Sequence, residues 1–150
     1  MERAIRLATE NVRSGSGGPF AALVVRAGAI LATGTNQVTT LLDPTAHAEI
    51  VAIRAACRSV GSFQLSDCEL YTTCEPCPMC MGAIYWARLA RVYYASTRDD
   101  AAKIGFDDSL IHDQLALPLQ ARRMPMLQIM REQALEAFRE WERSPTKIKY

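Results

Sequence analysis

Apolar residues recur along this chain first at helical and then at strand spacing. Ile5, Ala8 and Val12 fall on one stripe, which predicts a helix from residue 2 to about 14. Gly15-Ser16-Gly17-Gly18-Pro19 breaks it. The short apolar run from Phe20 to Val25 predicts a strand. Ala27-Gly28 turns the chain into a second strand from Ala29 to Thr33, making a hairpin. The stretch from Gly34 to Thr45 is polar and reads as a loop. Ile50, Ile53 and Cys57 then share one helical face, which predicts a helix from Thr45 or Ala46 to about Val60, stopped by Gly61.

Further strands are expected at Cys68 to Thr73, at Arg91 to Ser96 and, as a fifth, at Pro125 to Met130. Pro76 suits the first turn of a third helix, where a missing N–H costs nothing, and that helix runs to about Arg88. A short helix is expected at Asp99 to Lys103 and a loop at Gly105 to Asp108. A final helix runs from Glu132 to Arg143, with Leu135 and Phe138 on its apolar side. Strands alternating with helices after a hairpin predict an α/β fold. The expected form is a three-layer α/β/α sandwich around a central mixed five-stranded sheet.

The 150 residues suit one domain, spanning 1–150, with a sizeable core. A formal net charge of +1 gives no strongly basic footprint, so nucleic acid is not the expected partner. No apolar run is long enough to span a bilayer and no secretory leader is recognised, so the expected location is cytoplasmic. Three of the five cysteines, 74, 77 and 80, crowd into seven residues. A secreted disulfide framework spreads its cysteines; clustering beside a histidine favours a metal. Cys57 and Cys68 read as small buried apolar residues.

The chemistry concentrates in His47-Ala48-Glu49 and Pro76-Cys77-Pro78-Met79-Cys80. His47, Cys77 and Cys80 can occupy three positions on one zinc ion per chain and leave the fourth for water. Spacing i, i+3 in the first turn of a helix puts both sulfurs on one face. Helix N-termini favour thiolates. Glu49, two residues beyond His47, cannot point the same way on a helix and is better placed to move a proton than to bind metal. A closed structural zinc site remains open as an alternative, because Cys74 could supply a fourth ligand. A redox C-x-x-C would have no use for His-x-Glu. The joint H-x-E…P-C-x-x-C pattern is the signature of zinc-dependent nucleobase deaminases.

The same residues carry a resemblance to the cytidine deaminase superfamily, and within it to bacterial guanine deaminases over nearly the full length. The matching stretches are Gly17 to Phe20, Asn36, Asp43 to Glu49, Cys74 to Cys80, Gly82 to Arg88, Gly105 to Asp108 and Tyr150. The resemblance implies hydrolytic deamination of guanine to xanthine and ammonia, with Glu49 as the catalytic proton shuttle. It implies that Asn36 bonds the purine ring and that the backbone at Ala48 lies against it. Asp108 would accept from the ring N–H and amino edge, Phe20 and Trp86 would wall the pocket, and Tyr150 would close it. It also implies a homodimer whose C-terminal segment, about 131–150, crosses to the partner subunit.

Other readings of the residues stay open. Asp108 could cap a helix, Asn36 could serve a turn, and Trp86 could be core. A tRNA adenosine deaminase, a guanosine or cytosine deaminase, and a non-catalytic zinc domain that binds partners are the competing functions.

Overall fold

The computed structural model describes every residue from Met1 to Tyr150. The chain divides into two compact units, Met1–Asp108 and Ser109–Tyr150.

The first unit opens with helix α1 (Glu2–Arg13), followed by strands β1 (Ala21–Arg26) and β2 (Ala29–Thr35). A short helix α2 (Val38–Leu41) leads to α3 (Ala48–Val60), β3 (Cys68–Cys74), α4 (Pro78–Trp86), β4 (Arg91–Ser96) and α5 (Arg98–Lys103). The sheet order is β2-β1-β3-β4. β1 runs antiparallel to both β2 and β3, and β3 runs parallel to β4.

Period-two alternation sorts the core onto the two faces of this sheet. Ala22 and Val24 of β1 and Cys68 and Leu70 of β3 join one cluster with Ala48, Ala52, Ile53 and Ala56 of α3 and Ile84 of α4. The alanines at 48, 52 and 56 are four residues apart, so α3 presents a methyl-lined stripe that lies close against the sheet. The intervening β1 residues, Ala21 and Leu23, are also buried, and α1 contacts β1 and β3 with Ala4 and Ala8 buried. Gly61 ends α3 in the left-handed conformation, with φ 66°, as its sequence position predicts.

The second unit holds α6 (Ser109–Ala116), a 3₁₀ turn (Leu119–Ala121) and α7 (Arg131–Arg143). None of these three elements contains a buried residue. Leu127, Ile129, Met130 and Phe138 are all exposed.

The sheet has four strands rather than the expected five. Residues 125–130, expected as the fifth strand, form no strand. An alternating apolar run becomes a strand only where a neighbour accepts its backbone hydrogen bonds, and sequence pattern does not identify that neighbour. Two helical starts also differ from expectation. Residues 45–47 precede α3 rather than open it, and α4 begins at Pro78, so Pro78 and not Pro76 takes the first helical position. Helices α2 and α6 lie in stretches where the apolar pattern is too short to announce them.

Candidate functional site

Two helix starts build the site. His47 is the N-cap of α3 and Cys77 the N-cap of α4, each in extended conformation, with ψ 155° and 167°. Serine, threonine, aspartate and asparagine dominate such positions because their side chains bond the free N–H groups of the first turn. Here neither cap side chain makes that bond. Both are turned toward each other instead: Cys77 Sγ and His47 Nδ1 stand 3.5 Å apart. Cys80, one turn into α4, completes the group, and the three ligand atoms lie within 4.8 Å of one another.

This donor set fits zinc. Tetrahedral ligation with Zn–S and Zn–N lengths of roughly 2.3 and 2.1 Å separates sulfur from nitrogen by roughly 3.6 Å. The observed sulfur–nitrogen spacing of 3.5 Å meets that requirement. Cys74 does not join the group: its thiol points to the Thr97 carbonyl oxygen at 3.5 Å. Three protein ligands leave a fourth position for a reactant, the arrangement of a catalytic rather than a closed structural site.

The local electrostatics follow from burial and the two thiols. A hydrogen bond from Cys80 holds the Cys77 thiol well below its ordinary range, with His47 adding to the effect. The same bond, together with burial, raises Cys80. His47 is raised chiefly by Cys77, and the negative charges of Glu49 and Asp108 contribute. Asp108, distant in sequence, therefore lies within electrostatic reach of the metal ligands.

Glu49 is in the first turn of α3 and is buried, with 5% of its surface exposed. Burial raises its pKa, and a hydrogen bond from Thr72 partly offsets the rise. Thr72 Oγ1 donates to Glu49 Oε1 at 2.9 Å, and Glu49 Oε2 faces Cys80 Sγ at 3.5 Å. One carboxylate oxygen is thus anchored in the core, while the other faces the ligand group.

Asn36 follows β2 directly and is buried. Its backbone carbonyl accepts from Asn11 Nδ2 at 3.0 Å, and the same Asn11 amide donates to the Gly18 carbonyl at 2.9 Å. Gly17 has to be glycine here, since a Cβ would meet the Asn36 carbonyl oxygen at 2.1 Å. Phe20 is half-buried and packs edge-to-face on Phe106, with ring centroids 4.9 Å apart. A Cβ on Gly18 would touch both Phe106, at 3.4 Å, and the Asn36 side chain, at 3.6 Å. Asn36, Phe20 and Phe106 therefore share one small neighbourhood.

The remaining expected residues are placed differently. Ala48 is fully buried and opens α3. Trp86 is 65% exposed and lines a shallow cleft with Gly82, Tyr85 and Arg88, none of them a metal ligand. Tyr150, in the second unit, is exposed. Sequence patterns did not single out Thr72 or Asn11, and gave Phe106, within the matching stretch Gly105 to Asp108, no role of its own. A polar residue at an inward position of a core strand was the available signal for Thr72.

Comparison with known proteins agrees with this geometry. Residues 1–96 match the family model "Cytidine and deoxycytidylate deaminase zinc-binding region". The chain is 51% identical over 150 residues to the guanine deaminase of Bacillus subtilis, covering 100% of this chain and 96% of that one. The X-ray structure of a Bacillus subtilis guanine deaminase superposes with a TM-score of 0.96 at 52% identity, covering 99% of this chain and 95% of that one. The tRNA-specific adenosine deaminase of Aquifex aeolicus is 44% identical over 78 residues, 52% of either chain. The chain belongs to the zinc-binding cytidine and deoxycytidylate deaminase family, in the branch represented by the Bacillus subtilis guanine deaminase.

Proposed function

We propose that this protein converts guanine and water to xanthine and ammonia. The observation that carries this reading is the full-length likeness to a guanine deaminase, which includes the second unit. The likeness to a tRNA adenosine deaminase covers only 52% of the chain. His47, Cys77 and Cys80 would hold one zinc ion, which would supply the Lewis acidity needed to activate water near neutral pH.

The protein's own groups do the rest. Glu49 accepts one proton of the attacking water through Oε2 and delivers it to a ring nitrogen; it then takes the remaining hydroxyl proton and delivers it to the departing amine. The result is loss of ammonia and a new carbonyl. Asp108, an acceptor when ionised, suits the adjacent ring N–H and amino donors of guanine. Its electrostatic reach to His47 supports a place at the site. Asn36 binds the ring, the backbone at Ala48 lies against it, and Phe20 provides an apolar wall. Trp86, exposed in the single chain, serves as a wall in the assembled enzyme.

The assembled enzyme is a homodimer in which residues 131–150 cross to the partner, so that Tyr150 closes the neighbouring site. Support comes from the exposed apolar residues of the second unit, Leu127, Ile129, Phe138 and Trp141 among them. It comes also from the outer edge of β4, which has no strand partner. No helix is long and apolar enough to cross a membrane.

Ammonia release from guanine, guanosine, adenine, cytosine and an anticodon-loop RNA, assayed side by side, tests the reading. Guanine alone should yield product at high kcat/KM. Turnover of the RNA without turnover of guanine would overturn it.

A further inference from the structure

We infer that Thr72 is a positioning residue for the proton shuttle: its hydroxyl holds Glu49 Oε1 so that Oε2 is the working oxygen. This rests on the deaminase reading and does not depend on which base is the substrate.

Thr72 is an inward-facing residue of β3, 1% exposed, in a position where the alternating pattern otherwise places Leu70 and Cys74. A buried hydroxyl on such a strand has to find a partner. Its partner is Glu49 Oε1, at 2.9 Å across the space between β3 and α3. A carboxylate at the start of a helix can rotate about its last torsion and offer either oxygen. Thr72 removes that choice. With Oε1 occupied, the second oxygen is directed at Cys80 and the ligand group. A shuttle that takes a proton from one side and delivers it to another has to keep one oxygen within reach throughout. Fixing the carboxylate in the free enzyme avoids reorganisation during the reaction.

The residue is braced on both sides. Ala22 of β1 and Tyr94 of β4 are its neighbours across the sheet, so the backbone that carries the hydroxyl is paired on both sides. Next to it, Thr73 serves the opposite face, where its hydroxyl accepts from the Ala21 N–H at 3.0 Å. The two adjacent threonines therefore do different work: Thr73 joins strands, and Thr72 orients the acid.

Three variants separate this role from a structural one. Thr72→Val keeps the shape and removes the hydroxyl; Thr72→Ser keeps the hydroxyl and removes a methyl. Thr72→Val should lower kcat on the amino-purine the enzyme accepts by about tenfold to a hundredfold, with KM changed less than about threefold and zinc content unchanged. Thr72→Ser should recover most of that kcat.

A zinc-free measurement provides an independent check. In thermal unfolding of the zinc-free chain, Thr72→Val should destabilise the protein with Glu49 present. It should do so much less in a Glu49→Met background, where no acceptor remains. Equal destabilisation in both backgrounds, or a Thr72→Ser enzyme as slow as Thr72→Val, would overturn the inference. Absence of ammonia release from guanine by the unmodified enzyme would instead count against the guanine reading, while the zinc-free measurement would still decide the role of Thr72.

Discussion

A Cβ on Gly34 would stand 2.3 Å from the carbonyl oxygen of Ala48, so the end of β2 and the first turn of α3 touch backbone to backbone. The same Cβ would meet the Ala52 nitrogen at 2.5 Å. That contact sets how deeply α3 enters the fold, and with it the position of His47 and Glu49. Gly34→Ala should therefore displace the first turn of α3. Destabilisation of about 1–3 kcal/mol, typical of overpacking, is expected in thermal or denaturant unfolding. Zinc affinity should fall with it, measured by competition with a chromophoric chelator. A variant that melts and binds zinc as the parent does would show that the first turn of α3 is not held by this contact.

Zinc removal should act on both stability and activity. One zinc per chain is expected by atomic absorption. Chelation should abolish deamination and lower the unfolding temperature, with both restored on adding zinc back. At zinc a hundredfold above its dissociation constant, the ion should stabilise the fold by about 2.7 kcal/mol. Cys77→Ala should bind far less than one zinc per chain, because it removes both a ligand and the N-cap of α4. Cys74→Ala should retain the metal, since the Cys74 thiol faces the Thr97 carbonyl. Loss of zinc in that variant would return Cys74 to the ligand set.

Asp108→Ala should leave zinc bound and cut kcat/KM for guanine by about a hundredfold or more, as removal of a recognition hydrogen bond in a desolvated site does. Steady-state kinetics with metal analysis on the same preparation decides it. Unchanged kinetics would remove Asp108 from the substrate site.

The pH dependence of the fold should carry a mark of Asp100. Its carboxylate accepts from the Thr97 N–H and side chain in a capping box at the start of α5, with Lys103 close by. The Thr97 backbone bond, then Lys103, bring its pKa down from 3.8 to about 2. A depressed carboxylate stabilises the fold above its unfolded value and loses that contribution as pH falls through the folded one. The unfolding temperatures of the parent and Asp100→Ala should therefore differ by a constant amount above about pH 5 and converge between about pH 4 and 2. Convergence at higher pH, or none, would mean that Asp100 does not cap α5 in this way.

Ile129→Asp tests the dimer. Ile129 is 78% exposed in the single chain. In the proposed homodimer its burial would make a charge costly. Light scattering after size exclusion should show the parent as a dimer and the variant shifted toward monomer. A parent that stays monomeric at all concentrations would refute the exchange of residues 131–150.

Much of the metal chemistry was legible in the chain because its signals are short-range. His47-x-Glu49 and Cys77-x-x-Cys80 are each contained within a few residues. Each pair sits at the start of a helix that its own neighbours predict: Pro76, two residues ahead of the observed start of α4, and the face of Ile50, Ile53 and Cys57 on α3. The hairpin was equally readable from a short apolar run and its Ala27-Gly28 turn, and β3 and β4 were expected near where they lie. The expected fifth strand at 125–130 failed for the complementary reason. A strand is a relation between two segments, and an apolar run carries no record of its partner.

The remaining parts of the site are contacts between residues remote in sequence, and no local pattern encodes them. Thr72 and Glu49 are 23 residues apart and meet because β3 and α3 pack together; Asn11 and Asn36 are 25 apart and meet because the end of α1 lies against the end of β2. Gly34 looks like a loop glycine in the sequence, and the need for it appears only against the backbone of α3. Local spacing is enough to choose ligands and a proton carrier, since a helical turn places residues i and i+3 together whatever surrounds them. Aiming that carrier, and setting the depth at which its helix enters the core, depend on close packing across the sheet.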